Sequence, residues 1–282
     1  MDIRILTADY LDRALALSTL MGWNQRLEDW RALIEFAPSG SFVALDGDRV
    51  VGTAIGIDYV HCGWIAMMLV APEHRGRGLG ARLLEASMDA IPAHLPVRLD
   101  ATPLGRPLYE SHGFVLETPL TRHVRPAGVP APTTASDVVQ LPTADLQEVA
   151  GIDEAIFGGV RSPLLHRIHS AGPEYAWRAA GIPIQYCLGR SGRLFDQIGP
   201  IVARTAGTAI ALATAALPNA RGKAVVVDTY DDHEEFTAWL RASGFEAQRP
   251  LYRMRRSGLV PAGESGAHPP LTEFAILGPE FG

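Results

Sequence analysis

The spacing of apolar side chains along this chain switches repeatedly between a period of two and a period near that of a helix. Ile3, Ile5 and Thr7 alternate as a short strand, and Leu11, Leu15, Leu17 and Leu20 then recur at helical spacing up to Gly22. Residues 23–30 lead into a second helix that runs to Phe36 and is closed by Pro38 and Gly40. Residues 41–45 and 50–57 read as strands, and Asp46-Gly-Asp-Arg between them is a hairpin turn signal. The run 64–70 has the length and composition of a buried strand, and Pro72 stops it. Leu79, Leu83, Leu84 and Met88 resume helical spacing. A strand over 97–101, a short helix over 104–111, a turn at Gly113-Phe114 entering a further strand, and a last strand over 120–125 follow.

The junction between the 64–70 strand and the Leu79 helix carries the chemistry. It reads Arg75-Gly76-Arg77-Gly78-Leu79-Gly80-Ala81. A glycine-rich loop that opens a helix after a strand is an anion site, because the first amides of the helix have no partner within it and its dipole favours negative charge. An ordinary strand-to-helix turn is the plainer alternative, but three glycines at a helix start carry an entropic cost that a phosphate ligand explains. The loop is not a P-loop, since Ala81-Arg82 follow Gly80 where Lys and Ser or Thr are needed. Nor is it a dinucleotide fingerprint, because the glycines are spaced G-x-G-x-G.

The order of elements, together with Val70-Ala-Pro72, Arg75-Gly-Arg-Gly-Leu-Gly80 and Leu108-Tyr-Glu-Ser-His-Gly-Phe114, resembles the GNAT superfamily of N-acetyltransferases. The second of these fits the R-x-x-G-x-G/A motif of that family, and the third fits its L-Y-x-x-x-G-F helix. The resemblance implies acetyl-CoA as co-substrate, with Met68, Leu69 and Val70 pairing with the pantetheine arm like an added strand and the amides of Arg75, Gly76, Arg77, Gly78, Leu79, Gly80 and Ala81 holding the pyrophosphate. It also implies Tyr109 as the acid that protonates the leaving thiolate, although a tyrosine before Gly-Phe also serves as a half-buried aromatic. Thr102 stands where many relatives carry asparagine. No carboxylate lies on 64–70, where many relatives carry a glutamate base, and Asp100 is the nearest candidate. For the acceptor, Trp23, Asn24 and Gln25 between the first two helices, with Trp64 and Met67, are the expected lining, the tryptophans serving equally as core. No metal is expected: His166 and His169 share a helix face without a third ligand.

The second half repeats the first weakly. Arg75 and Arg204 lie 129 positions apart, and Gly113-Phe114 and Gly244-Phe245 lie 131 apart. Strands near 138–142, 175–179, 184–189, 198–203 and 224–228 and helices over 144–156, 163–170, 205–217 and 233–242 are predicted. Two of the three loop glycines are missing, and Leu240 takes the place of Tyr109. The expected fold is therefore α/β with a mixed, mostly antiparallel sheet flanked by helices, present twice. A coenzyme-binding domain over 1–126, a Pro-rich linker over 127–136 and an altered copy over 137–282 make up the chain, with Tyr186 and Arg190 as candidates to reach the acceptor. The apolar run 271–277 is expected to pair with an open sheet edge, one of the first domain's edges being within the choice.

Composition narrows the partners. A formal net charge of −6, from 25 Lys and Arg against 31 Asp and Glu, argues against nucleic acid and permits a cationic substrate, while the resemblance implies direct acetyl transfer to a primary amine of a small molecule or of a peptide or protein. Two cysteines without motif spacing fit a reducing compartment, and no apolar run or leader pattern suggests a membrane, so a cytoplasmic monomer or homodimer is expected. The competing function is a non-catalytic acyl-CoA sensor, kept open by the missing strand carboxylate.

Overall fold

The computed structural model describes residues 1–132, 137–220, 222–258 and 271–282. Contact density divides these into two compact units. The first holds residues 1–117, 254–258 and 281, and the second holds the described residues of 118–253 with 271–280 and 282. The Pro-rich stretch is thus not where the contacts divide; its residues 133–136 lie outside the described residues, as do 259–270.

In the first unit β1 (Asp2–Ile5) is followed by α1 (Leu11–Leu20), α2 (Leu27–Phe36), β2 (Ser41–Asp46), β3 (Arg49–Asp58), β4 (Gly63–Val70), α3 (Leu79–Asp89), β5 (Val97–Ala101) and α4 (Arg106–Ser111). The strands lie in chain order, antiparallel from β1 to β4 and parallel between β4 and β5. Helices cover the middle strands, so Val50 to Ile57 are all buried and read as a continuous apolar run rather than an alternation. Two glycines of β3 set how closely α3 lies on it. A Cβ on Gly56 would fall 2.1 Å from the Ser87 carbonyl oxygen, and one on Gly52 would fall 2.8 Å from Leu83 Cδ1. At the start of α2 the Arg26 amide donates to Asp29 Oδ2 at 2.7 Å, which closes the turn entered from residues 23–25.

The second unit takes in β6 (Val115–Arg125) from Thr118 onward, then β7 (Val138–Gln140), α5 (Leu146–Phe157), α6 (Ser162–Ala171), β8 (Trp177–Ala179), β9 (Gln185–Ser191), β10 (Phe195–Ala203), α7 (Ala206–Ala216), β11 (Ala224–Tyr230), α8 (Glu234–Ala242), β12 (Glu246–Arg256) as far as Arg253, and β13 (Thr272–Ala275). Its core gathers Ile198, Ile201, Leu212, Val225, Val227, Phe236, Leu240, Phe245 and Phe274.

Three strand expectations are corrected. Residues 115–125 form one strand rather than a turn entry and a separate last strand. β12 follows Gly244-Phe245 and has no counterpart in the sequence reading, because Arg253 is buried beside Leu251 and Met254, so the usual alternation of polar and apolar residues is masked. The 271–277 run does not add to an edge. β13 pairs antiparallel with β10 on one side and meets β11 on the other, in the interior of the second unit's sheet.

Candidate active site

β4 begins beside β5 and then leaves it. Gly63 pairs with Val97 and Trp64 with Arg98, and the parallel ladder ends there. On the other side, Thr53 pairs with Leu69 and Ile55 with Ala66, so Met67 and Met68 together face Ala54 in a β-bulge. Met67 takes φ 51°, an uncommon value for a side chain that is not glycine. The buried Thr53 hydroxyl donates to the Met67 carbonyl at 2.7 Å and fixes this turn of the backbone. A strand that leaves its parallel neighbour exposes a row of backbone groups, which an extended ligand can pair with.

Next comes the loop. Gly76 and Gly78 have φ 71° and 75°, and a Cβ on either would meet nothing within 4 Å, so backbone conformation rather than crowding calls for glycine. Gly78 is the N-cap of α3 and offers no side chain to its amides. The first bond closing the helix runs from the Arg82 amide to the Gly78 carbonyl, so the amides of Leu79, Gly80 and Ala81 have no acceptor inside it. Arg75 Nε donates to the Val70 carbonyl at 3.0 Å and ties the loop to the end of β4, while Arg77 is exposed. Gly80 lies where three expected motifs meet: a Cβ there would be 3.3 Å from Leu108 Cδ2, 3.7 Å from Met68 Cε and 3.8 Å from Val70 Cγ2.

Tyr109, next to Leu108 on α4, is buried with its ring edge-on to Phe114 at 6.0 Å. Burial pushes its phenol well above the ordinary tyrosine value, so it keeps its proton across the neutral range. Thr102 Oγ1 accepts from the Gly105 amide at 3.3 Å and shapes the turn into α4. Of the expected acceptor residues, Trp23 is half-buried, Asn24 and Gln25 are buried, and Gln25 Oε1 has no hydrogen-bond partner among the described residues. Trp64 has no exposed surface and Met67 nearly none; both are core side chains of β4. A groove of about 670 Å³ lined by Glu85, Met88, Asp89 and Arg256 lies along the other end of α3 and shares none of these residues.

The second unit repeats the strand geometry with its loop altered. Phe195, Asp196 and Gln197 pair in parallel with Ala224, Val225 and Val226, the positions 132 after Gly63 and Trp64 opening that ladder. Ile198 pairs with Gly189 and Ile201 with Cys187, so Gly199 and Pro200 form the bulge, again 132 positions after Met67 and Met68. Here Thr205 caps α7 by accepting from the Thr208 amide at 3.2 Å, and the Arg204 amide donates to Gln185 Oε1 at 2.8 Å. Tyr186 and Arg190 are committed inside this unit: Tyr186 donates to Asp153 Oδ1 at 2.9 Å, and Arg190 pairs with Glu280. His166 and His169 each donate to a backbone carbonyl, of Ser162 and Leu141. Among the described residues no cluster of three or more metal-ligating side chains is found, and no helix is long and apolar enough to cross a membrane.

A bulged strand parting from its parallel neighbour and feeding a helix start, present twice in one chain, defines a tandem acetyltransferase-type α/β fold. Comparison with known families agrees: residues 37–116 and 149–266 each match a family described as an acetyltransferase (GNAT) domain. The chain belongs to the GNAT acetyltransferase family and carries two of its domains. It is 39% identical over 67 residues, 22% of its length, to N-alpha-acetyltransferase 30 of Schizosaccharomyces pombe. Over 184 residues, 64% of its length, it is 27% identical to the uncharacterized N-acetyltransferase YitH of Bacillus subtilis. The matches span 45% and 65% of those two relatives. A Pyrococcus horikoshii crystal structure bearing an acetyltransferase label shares the fold over all of this chain and 95% of its own, with a TM-score of 0.77 at 22% identity.

Proposed function

We propose that the chain is an acetyl-CoA-dependent N-acetyltransferase that acetylates a primary amine, of a small molecule or of a peptide, in its first unit. The observation that carries this reading is the open strand edge of β4 beside an uncapped, glycine-led helix. The residues fit the coenzyme: Gly76 and Gly78 leave open space where side chains would stand, and three amides of α3 lack partners in their helix. When bound, acetyl-CoA supplies an activated acyl thioester.

The chain's own groups do the rest. Backbone groups of Met68, Leu69 and Val70 hold the extended arm, and an amide at the bulge donates to the acyl oxygen as negative charge develops there. Arg77 and the loop amides orient the phosphates, with Arg75 fixing the loop to β4. Tyr109 keeps its proton at Oη and gives it to the leaving sulfur, while the proton shed by the attacking nitrogen passes to water, from which the phenol is reprotonated. Asn24 and the unpaired Gln25 Oε1 orient the amine. The test is a thermal shift with acetyl-CoA, expected for the natural chain and lost in Gly78→Glu. No shift in the natural chain would sink the coenzyme reading. Thiol release over a panel of amines separates an enzyme from a sensor that binds without turnover.

A further inference from the structure

Resting on the coenzyme reading of the first unit, we propose that segment 271–280 occupies in the second unit the seat that the first unit keeps open for the pantetheine arm. The chain then binds one coenzyme, and its second unit is closed by a strand of its own.

The two sheets can be superimposed in register. Both have a short parallel ladder at the start of the fourth strand and a bulge four residues into it. Beyond the ladder, β4 and β5 part with no strand of the described residues between them, whereas β10 and β11 part around β13. Ile201, Val202 and Ala203 of β10, the positions 132 after Leu69, Val70 and Ala71, pair with Ala275, Glu273 and Thr272. On the opposite side Thr229 of β11 pairs with Ala275, its hydroxyl donates to the Phe274 carbonyl at 2.6 Å, and the Ile276 amide donates to the Asp228 carbonyl at 3.0 Å. The backbone groups that would hold an extended ligand are therefore taken.

Side chains commit the segment further. At the bulge, a Cβ on Gly199 would fall 2.0 Å from the Ile276 carbonyl oxygen, so the absence of a side chain there is what admits the segment. Ile276 packs with Leu120 and Leu251. Glu273 takes the Tyr230 hydroxyl at 2.5 Å and lies 3.3 Å from Arg161 Nη2 and 3.7 Å from Arg253 Nη1, and Glu280 pairs with Arg190. These carboxylates and guanidinium groups are buried, so neither partner can leave without stranding a charge. The phosphate end is partly taken as well, because the Thr205 hydroxyl accepts from the Thr208 amide and Gln185 Oε1 accepts from the Arg204 amide.

Calorimetric titration of the full chain with acetyl-CoA tests this by its stoichiometry, expected to be one per chain and none in Gly78→Glu. Two coenzymes per chain, or one retained in Gly78→Glu, overturns the inference and leaves coenzyme binding established. None in the natural chain overturns the coenzyme reading and the inference with it. Hydrogen exchange of the natural chain supplies a second readout: saturating acetyl-CoA should protect 68–81 and leave 199–208 and 272–276 unchanged. Coenzyme-dependent change over 272–276 counts against the inference. In Gly199→Ala, exchange over 272–276 should quicken while one coenzyme still binds; unchanged exchange there would show that Ile276 is not seated as described. If that variant does not fold, the measurements on the natural chain decide.

Discussion

The two units share a strand register and differ in what stands at two places. In the first, the space between the fourth and fifth strands is left open and the following helix starts on glycine. In the second, a strand fills that space and threonine caps the helix. Strand-edge groups and helix-start amides find partners in water, in a ligand or in the protein itself, and the two units differ in which they use. In the second unit a segment of the same chain pairs with those strand groups. Loss of loop glycines and closure of the splay are then two expressions of one change.

The comparison can be broken at several points. The largest effect is expected from Arg161→Met, which strands Asp153 and Glu273 in the core and should cost about 3–5 kcal/mol in urea denaturation. Coenzyme affinity should stay unchanged, and a matching loss of affinity would show that the second unit's network supports the first unit's site. Next is Tyr109→Phe, expected to slow thiol release about a hundredfold without weakening coenzyme binding; unchanged turnover would remove the phenol from the chemistry.

Thr205→Ala removes a helix cap and should cost about 1 kcal/mol in stability while leaving stoichiometry at one. Gain of a second coenzyme in that variant would mean that the cap alone closes the second unit. The smallest effect concerns pH. Burial pushes the His123 imidazole below its ordinary value, with the Thr121 carbonyl accepting from Nδ1 at 3.1 Å. The unfolded chain takes up that proton near pH 6.5 while the folded chain resists it, so stability is full above that pH and declines as pH falls through it. His123→Gln should flatten this part of the denaturation profile, and an unaltered slope would assign it to other groups.

Much of the first unit was legible because local signals agree with the tertiary result. Gly76 and Gly78 mark a helix start without knowledge of the fold, since their positive φ is a property of the local backbone. The run 64–70 is apolar throughout because that strand is buried, so its length alone identified it. Trp64 and Met67 show the limit of such reading: a side chain in a buried strand looks the same whether it lines a pocket or fills a core, and here both are core. The unpaired Gln25 oxygen gave no sequence signal beyond its residue type.

Most elements, the duplication and the loop with its glycines could be read locally, because periodicity, turn chemistry and helix starts are set by neighbours a few residues apart. Only the tertiary structure decided that β12 is a strand and that β13 enters the sheet between β10 and β11. The first depends on one buried arginine, Arg253, whose partners Tyr230 and Glu273 lie outside its strand, and the second on a choice among strand edges that the short run 271–277 does not encode. The contrast between the two copies followed from that choice, since pairing with distant strands is what turned the run 271–277 from an expected edge strand into an interior strand of the second unit's sheet.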